Sequence, residues 1–312
     1  MQSNYNSNHE IWLNNLKENG YCVIPNILTV DECNDTICKI WDWLESLDTG
    51  IDRNNEETWI PPNWPPSIHG IIQNLRVGHE EFVWEIRTNP NVINVFKQIW
   101  NTDDLLVSFD GINITKPMEF TNYRNTNQWF HIDQGNKKKG MHCIQSFVNL
   151  EYSTEEDVCF SCFPKSHLYH EEMTENFNID TDIDWIKLKR EQINWYEKEK
   201  KCKRTRIAVP KGGMLLWDSR TVHCNRHALK SRHIPSFRFV VYVCMTPKYM
   251  CNEENLEKRI TAFKKIRMTT HWPHDVRLYP EYPKTYDTTL PNYNIRKTPP
   301  SLCPIGLKLI GI

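Results

Sequence analysis

The stretch Val209-Pro-Lys-Gly-Gly-Met-Leu-Leu-Trp-Asp-Ser-Arg-Thr-Val-His223 contains a turn, a short apolar run and then a histidine. Its proline and its two adjacent glycines predict the turn. The run Met214 to Trp217 that follows has the length and apolar character of a buried β-strand. This pattern indicates a core built from β-strands.

Similar runs recur through the middle of the chain. They are Leu105 to Phe109, Met141 to Leu150, Val158 to Phe163, Arg206 to Val209 and Phe237 to Met245. Short apolar or alternating runs that are separated by turn residues are typical of antiparallel sandwiches. The sequence therefore predicts a mainly β fold with flanking helices and an antiparallel β-sandwich or jelly roll at its core.

Helical patterns lie on both sides of this β-rich part. Thr29 and Glu32 form a capping-box pattern, which predicts a helix through about Leu47. Further helices are predicted at Ile11 to Asn19, Glu80 to Trp100 with a break near Pro90, Ile183 to Lys201 and Glu253 to Arg267. Proline-rich sequence predicts a loop at Asn54 to Ser67 and an extended tail from Trp272 onward.

A chain of 312 residues can bury a sizeable core, and no repeat or low-complexity linker divides it. We expect a single domain over residues 1–312, with a β core at about 105–246 and a helical N-terminal part at 8–104. Residues 247–312 then form a C-terminal extension, in which Thr269 to His274 is expected to pack over the β core.

The composition narrows the class of protein. Hydrophobic residues make up 39% of the chain and the formal net charge is −1, which argues against disorder and against nucleic-acid binding. No apolar run approaches the ~20 residues of a membrane-spanning helix, and Met1 to Glu10 does not resemble a secretory signal. The 11 cysteines lack paired spacing and indicate reduced thiols. We therefore expect a cytoplasmic protein, in the host cytoplasm if the gene is viral, whose oligomeric state the sequence leaves open.

The segment Trp129-Phe-His-Ile-Asp133 places a histidine and an aspartate two positions apart. In an extended segment the side chains of His131 and Asp133 point to the same face, where both can bind one metal ion. The motif is weak by itself because a chain with 12 histidines contains such a pair easily by chance.

His223 lies ninety positions beyond Asp133 and directly follows the predicted strand Met214 to Trp217. Facing strands of a jelly roll can bring such distant positions together. Two histidines and one carboxylate form the facial triad of ferrous oxygenases. The sequence therefore predicts iron ligands at His131, Asp133 and His223, with His227 and His233 as rivals of His223.

Arg238 lies within the apolar run Phe237 to Val243, fifteen residues after His223. A charged guanidinium that faces a core requires an anionic partner, which a bound dicarboxylate can supply. Arg232 is the rival residue, although its Lys-Ser-Arg-His setting predicts a loop. Trp129 and Trp217 neighbour the proposed ligands and are further candidates for binding a cofactor or substrate.

Five segments together resemble the phytanoyl-CoA dioxygenase-like family of Fe(II) and 2-oxoglutarate-dependent oxygenases. They are Glu18-Asn-Gly-Tyr-Cys-Val-Ile-Pro25, Trp129-Phe-His-Ile-Asp133, Cys159-Phe-Ser-Cys-Phe-Pro-Lys-Ser-His167, Gly213-Met-Leu-Leu-Trp-Asp-Ser-Arg-Thr-Val-His223 and Phe237-Arg-Phe-Val-Val-Tyr-Val243. In that family these motifs follow one another in the same order on a double-stranded β-helix.

The resemblance implies an enzyme that binds Fe(II) through His131, Asp133 and His223 and uses 2-oxoglutarate and O2 as cosubstrates. Arg238 would hold the 5-carboxylate of 2-oxoglutarate, and the products would be succinate, CO2 and a hydroxylated substrate. A small molecule or lipid-like metabolite is the expected substrate. The aspartate at position 133, where halogenating relatives carry a small residue, favours hydroxylation over halogenation.

The chain departs from the family pattern at two places. Arg238 follows the distal histidine later than is usual, which keeps Arg232 open as the cosubstrate residue, and Lys165 replaces a common glycine before Ser166 and His167. Two other functions remain as alternatives. One is a cupin-like metalloenzyme that does not use 2-oxoglutarate, and the other is a catalytically inactive jelly-roll binding protein.

Overall fold

A computed structural model of the chain describes residues 3–117, 119, 129–232, 234–283 and 290–312. Its helices are α1 Ser3–Asn19, α2 Val30–Ser46, α3 Glu81–Arg87, α4 Pro90–Trp100, α5 His170–Asn176, α6 Arg190–Lys198, α7 Glu253–Lys264 and α8 Pro304–Ile310. Its strands are β1 Tyr21–Ile24, β2 Ile71–Ile72, β3 Leu105–Val107, β4 Ile112–Thr115, β5 His131–Ile132, β6 Ile144–Asn149, β7 Cys159–Cys162, β8 Ile186–Lys187, β9 Thr205–Ile207, β10 Met214–Asp218, β11 His223–Arg226 and β12 Arg238–Pro247.

The strands form two antiparallel sheets. Within the described residues, the larger sheet has the order β1-β10-β6-β12-β4-β2, and β3 pairs with the far part of β12. The smaller sheet has the order β8-β5-β11-β7-β9. The chain passes from one sheet to the other six times. These crossings lie between β4 and β5, β5 and β6, β6 and β7, β9 and β10, β10 and β11, and β11 and β12. The two sheets therefore lie against each other.

Apolar side chains from both sheets fill the space between them. Phe147 of β6 and Trp217 of β10 pack with Phe160 of β7 and Ile207 of β9 in one buried cluster. Alternate residues of a strand face opposite sides of its sheet. Ile144 and Val148 of β6 therefore face the side opposite to Phe147. They lie in a second core that also contains residues of α2, α3 and α4.

The capping box predicted from Thr29 and Glu32 is confirmed. The backbone N–H of Glu32 donates to Thr29 Oγ1, and the Glu32 carboxylate accepts from the Thr29 N–H at 2.7 Å. These two bonds satisfy donors that the first turn of a helix otherwise leaves free. Helix α2 thus begins where the sequence predicts and buries Ile40 and Leu44 against the larger sheet.

The structure corrects the predicted helix at Ile183 to Lys201. The first part of this segment contains the short strand β8, which extends the smaller sheet by pairing with β5, and only Arg190–Lys198 is helical. Two strand residues within a charged stretch are too few for periodicity to reveal them. The prediction of an extended tail also missed α8, whose buried Leu309 and Ile310 pack in the larger core.

The N-terminal part supplies more than helices. Strands β1 and β2 come from residues that precede the predicted β core, and β1 pairs with β10 along Tyr21 to Ile24. Gly20, just before β1, accepts hydrogen bonds at its carbonyl from Thr221 Oγ1 and from the Asp218 N–H. The segment before β1 therefore braces the turn that leads to His223.

The turn at Lys165 explains one departure from the family pattern. Lys165 has a φ of 69°, in the left-handed region that glycine adopts without strain. The adjoining Ser166 hydroxyl accepts a hydrogen bond from the Val222 N–H at 2.9 Å, next to His223. Lys165 therefore adopts the backbone conformation that the turn requires. The Ser166 hydroxyl of this turn supports β11, which begins at His223.

Substitution of Gly20 tests this bracing. A Cβ at Gly20 would lie 2.5 Å from Thr221 Oγ1 and would also overlap the His167 ring, whereas a Cβ at Gly140 would meet nothing within 4 Å. Both glycines have positive φ, so the backbone strain of an alanine is similar. We expect Gly20→Ala to lower the free energy of unfolding by about 1–3 kcal/mol more than Gly140→Ala does in denaturant titrations. Equal losses would show that Gly20 makes no specific contact.

Candidate metal centre

Strands β5 and β11 bring two histidines side by side. His131 and His223 are direct partners in the antiparallel pairing of these strands, and their ring centroids lie 4.3 Å apart. Asp133 follows β5 immediately, and its N–H donates to the carbonyl of Ser219 at 2.9 Å. This backbone bond holds the aspartate beside the turn that precedes β11.

The three side chains form a compact cluster. Asp133 Oδ1 lies 3.5 Å from His131 Nε2, and Asp133 Oδ2 lies 3.3 Å from His223 Nε2. Their possible ligand atoms all lie within 4.8 Å of one another, and all three residues are buried. A single metal ion could bind all three.

Backbone carbonyls fix the tautomer of both histidines. His131 Nδ1 lies 3.0 Å from the Trp129 carbonyl, and His223 Nδ1 lies 2.9 Å from the Thr221 carbonyl. Since a carbonyl only accepts, each Nδ1 carries the hydrogen and each Nε2 keeps a lone pair. Both lone pairs belong to the atoms that face Asp133, as a metal ligand requires.

The surroundings keep His131 and Asp133 in the protonation states that metal binding needs. Burial, together with the neighbouring His223, lowers the pKa of His131 to about 3, so its imidazole is neutral near pH 7. Burial acts to raise the pKa of Asp133, but His131 and His223 outweigh it and hold the pKa below its ordinary value. The aspartate is therefore ionised.

Gln145 is a partner that sequence analysis missed. It lies on β6 of the opposite sheet, is buried, and donates from Nε2 to Asp133 Oδ2 at 2.8 Å. Such an outer hydrogen bond orients a carboxylate ligand. The only signal in the sequence was a polar residue at an alternate position of the run Met141 to Leu150, which does not indicate its partner.

Aromatic rings hold both histidines. Trp129 stacks on His131 with centroids 4.8 Å apart, and His69 covers the other face of Trp129 at 4.1 Å. The indole N–H of Trp129 donates to the Asn225 carbonyl at 3.2 Å. Trp129 thus has both faces and its donor engaged, which favours a role in orienting His131 over a role in binding a cosubstrate.

Trp217 lies on the other side of the cluster. Its ring is 5.4 Å from His223 and 6.1 Å from Phe147. Its indole nitrogen is buried and has no hydrogen-bond partner in the part of the chain that the structure describes. A free buried donor beside His223 is available to a bound molecule.

Arg238 is buried at the start of β12, with its guanidinium carbon 4.9 Å from the centre of the Phe147 ring. Neither Nη1 nor Nη2 has a hydrogen-bond partner among residues 3–117, 119, 129–232, 234–283 and 290–312. Phe147 and Gln145 are alternate residues of β6 and share a face, about 7 Å apart along the strand. Arg238 and the His-Asp-His cluster therefore lie on the same side of the larger sheet.

The rival arginine is already paired. Arg232 makes an ion pair with Glu119 and lies 3.5 Å from Asp157 Oδ1. Two carboxylates thus neutralise its guanidinium. Among the rivals of His223, His227 follows the end of β11 and is not part of the cluster, and His233 lies outside the described residues.

Two histidines and one carboxylate on one face leave the opposite coordination positions of an octahedral metal open. Those positions can take a bidentate cosubstrate and a gas molecule. The arrangement could therefore support redox chemistry on a bound small molecule. Within the described residues, no helix has the length and apolar character needed to cross a lipid bilayer.

Removal of the Gln145 amide tests its support of the cluster. We expect Gln145→Leu to weaken cobalt(II) binding about 10- to 100-fold, because the Asp133 carboxylate loses the bond that orients it. Calorimetric titration of metal-free protein measures this change. Gln192→Leu, which removes an equally buried amide from α6, serves as the control. Equal affinities of the Gln145 variant and the unmodified protein would contradict the assigned role.

The chain is similar in sequence to two known proteins. Ava biosynthesis cluster protein O of Aspergillus versicolor is 30% identical over 277 residues, which cover 84% of this chain and 86% of that protein. A putative phytanoyl-CoA dioxygenase of Dictyostelium discoideum is 25% identical over 248 residues, which cover 65% of this chain and 67% of that protein.

Solved structures share the fold at low sequence identity. EctD from S. alaskensis, crystallised with bound Fe, has a TM-score of 0.54 and 13% identity and covers 77% of each chain. The non-heme alpha ketoglutarate dependent carbocyclase SnoK from nogalamycin biosynthesis has a TM-score of 0.52 and 17% identity, with 76% of this chain and 83% of SnoK covered. The family model of phytanoyl-CoA dioxygenase (PhyH) matches residues 16–227. The chain belongs to the phytanoyl-CoA dioxygenase (PhyH) family.

Proposed function

We propose that the protein is an Fe(II)- and 2-oxoglutarate-dependent dioxygenase that hydroxylates a small molecule. The observation that carries this proposal is the buried guanidinium of Arg238, whose Nη1 and Nη2 have no hydrogen-bond partner in the described part of the chain and which lies on the same face as the His-Asp-His cluster. An unpaired buried charge is costly, so its presence favours a bound anion. A dicarboxylate that reaches from the metal to Arg238 supplies that anion.

The fold supports this assignment. Strands β4, β6, β10 and β12 of the larger sheet and β5, β7, β9 and β11 of the smaller one form the double-stranded β-helix that the resemblance implies. SnoK and EctD share the fold, and the alpha ketoglutarate dependence of the first and the Fe of the second support the same cofactors here. We propose one domain, because the core around α2, α3 and α4 includes residues of the larger sheet and of α7 and α8.

His131, Asp133 and His223 are the proposed iron ligands. Imidazole nitrogens and a carboxylate suit ferrous iron, and the neutral His131 and the ionised Asp133 need no proton loss to bind it. Gln145 and Trp129 hold two of these ligands in position. Because three neighbouring ligand atoms are already oriented, the site is preorganised for the metal.

Arg238 and Trp217 are the proposed partners of 2-oxoglutarate. The guanidinium can bind the 5-carboxylate with two parallel hydrogen bonds, a geometry that arginine favours. The indole N–H of Trp217 has no hydrogen-bond partner among the described residues. Its ring lies 5.4 Å from that of His223 and 6.1 Å from that of Phe147, which also contacts Arg238. Both residues thus gain in the complex the partners that they lack without it.

When bound, iron and 2-oxoglutarate supply the oxidising power, with O2 consumed and succinate and CO2 released. The contribution of the chain is to orient these groups and to exclude water. The apolar cluster of Phe147, Phe160 and Trp217 shields the site from one side. Neither a general acid nor a nucleophile is required. Asp133 occupies the third ligand position, which favours hydroxylation over halogenation.

The lysines at positions 137 to 139 bear on the substrate class. Lys137 pairs with Asp180, Lys138 Nζ lies 2.8 Å from Asp184, and Lys139 lies near Glu171. Each lysine therefore has an acidic neighbour, and a phosphate group would have to compete with it. This pairing favours a substrate without phosphate over a CoA thioester.

Anaerobic spectroscopy tests the proposal. Fe(II) and 2-oxoglutarate are added to metal-free protein, and the weak visible charge-transfer band of the iron chelate is recorded. We expect the band to form, to be absent in His131→Ala, and to require at least about tenfold more 2-oxoglutarate in Arg238→Met, since a charge-assisted pair is lost. Arg232→Met is the matched control and should leave the requirement unchanged.

The other outcomes identify the alternatives. Iron that binds without any band would favour a cupin-like metalloenzyme that does not use 2-oxoglutarate. Failure of iron to bind would favour an inactive jelly-roll binding protein. A band that responds to Arg232→Met and not to Arg238→Met would reverse the assignment of the two arginines.

A further inference from the structure

Two buried polar atoms near the candidate metal centre are not used by the proposed reaction. They are Nε2 of His271, in the C-terminal extension, and Oδ1 of Asp110, in the loop between β3 and β4. Both atoms are shielded from solvent, and neither has a hydrogen-bond partner within the described ranges. Buried polar atoms in native proteins are rarely left without a partner. The presence of two such atoms near the candidate metal centre therefore indicates that a ligand binds there.

The C-terminal extension is fixed beside the loop that carries Asp110. The Thr269 N–H donates to the Phe109 carbonyl at 3.0 Å, and Thr269 Oγ1 accepts from the Phe109 N–H at 2.9 Å. Further along, His274 Nδ1 lies 3.1 Å from the hydroxyl of Thr246 at the end of β12. His271 lies between these two attachments, so its position is defined.

A short series of contacts connects His271 with the candidate metal centre. The Cys143 thiol lies 3.6 Å from the His271 carbonyl, and the Cys143 carbonyl accepts from the Ser219 N–H at 3.1 Å. The Ser219 carbonyl in turn accepts from the Asp133 N–H at 2.9 Å. The Asp133 and Asp110 carboxylates both act on the pKa of His271, which burial lowers below its ordinary value. The imidazole is therefore neutral near pH 7.

Asp110 is the second polar residue of this region and is only 7% exposed. Arg87 donates to its backbone carbonyl at 2.8 Å and forms an ion pair with Asp110 Oδ1 at 3.6 Å, a distance longer than that of a hydrogen bond. Burial raises the pKa of Asp110, and Arg87 counteracts this effect. Burial raises the pKa of Tyr279, and the charges of Asp110 and Asp133 raise it further. Tyr279 of the C-terminal extension is therefore exposed to the charge of both carboxylates.

The geometry points to a substrate-binding wall formed by His271 and Asp110, which takes a small molecule bearing a hydrogen-bond donor group, either a hydroxyl or an amine. Asp110 Oδ1 accepts from that group, and His271 Nε2 makes a second bond to it. This inference rests on the proposed function, because it places the substrate beside the iron ligands. It assigns the C-terminal extension to substrate binding.

A flat aromatic surface adjoins the iron ligands and guides the choice of probe. Trp185 directly precedes β8, is 49% exposed, and has its ring 5.5 Å from that of His131. An exposed indole beside a buried metal centre can stack on a planar ring. A suitable probe therefore combines a bicyclic aromatic ring with one polar group.

The test uses three probes that share one ring system. They are 2-(2-naphthyl)ethanol, 2-(2-naphthyl)ethylamine and 2-ethylnaphthalene, each titrated anaerobically into the Fe(II) and 2-oxoglutarate complex. Displacement of water from iron shifts the charge-transfer band and reports binding. We expect the alcohol or the amine to reach half-saturation at least about tenfold below the hydrocarbon, since it can satisfy the two buried atoms.

Variants connect this preference with the two residues. His271→Leu should abolish the preference for the polar probes. Asp110→Asn should weaken the binding of the amine more than that of the alcohol, because the carboxylate charge is lost. Both variants should form the original band with unchanged 2-oxoglutarate requirement, which shows that they fold. His142→Gln, a histidine that bonds only to the nearby Lys139 carbonyl in the described contacts, is the control.

Failure of the inference can be distinguished from failure of the proposed function. If the band never forms with Fe(II) and 2-oxoglutarate, the proposed function has failed. If the band forms but no probe shifts it, or the hydrocarbon binds as tightly as the polar probes, the substrate-binding wall is contradicted. A preference that survives in both His271→Leu and Asp110→Asn would also overturn it.

Discussion

The pairing of β5 with β11 is the constraint on which the candidate site depends. It sets His131 opposite His223 although the two residues are far apart in the sequence. Asp133 follows β5 directly and joins them with its N–H bonded to the Ser219 carbonyl, in the turn before β11. Several remote segments brace this pair of strands, including Gly20 before β1 and the Ser166 turn. Local changes at those places should therefore act on the metal ligands.

The distribution of unsatisfied polar groups divides the site into two regions. Arg238 and Trp217 lie against Phe147, to one side of the His-Asp-His cluster, and form the proposed place for a dicarboxylate. His271 of the C-terminal extension and Asp110 of the loop between β3 and β4 form the proposed place for a polar substrate group. Burial of a polar atom without a hydrogen bond costs stability, and we infer that the proposed ligands supply the missing bonds.

Much of the candidate site is visible in the sequence because its motifs are local. His131 and Asp133 are adjacent on one strand face, His223 follows a buried strand, and Arg238 is a charge within an apolar run. The structure brings the first three together, and among the residues that it describes neither Nη1 nor Nη2 of Arg238 has a hydrogen-bond partner. Arg232, which spacing alone could not exclude, is instead paired with Glu119 and Asp157.

Other features could not be predicted because they arise from contacts between distant segments. Gln145 donates to Asp133 across the two sheets, and nothing in its own strand indicates that partner. The two-residue strands β5 and β8 are too short for a periodic signal, and β8 lies in charged sequence. The segment Thr269 to His274 was expected to pack over the core, but only the structure shows that the His271 carbonyl contacts Cys143, which is linked through Ser219 to Asp133.

The most direct test of the account is an anaerobic crystal structure with Fe(II) and 2-oxoglutarate, measured at the iron absorption edge. The proposed site predicts an anomalous peak bonded to Nε2 of His131, Nε2 of His223 and the Asp133 carboxylate, with the distal carboxylate of 2-oxoglutarate on Arg238. An iron peak elsewhere, or a distal carboxylate that turns away from Arg238, would contradict it.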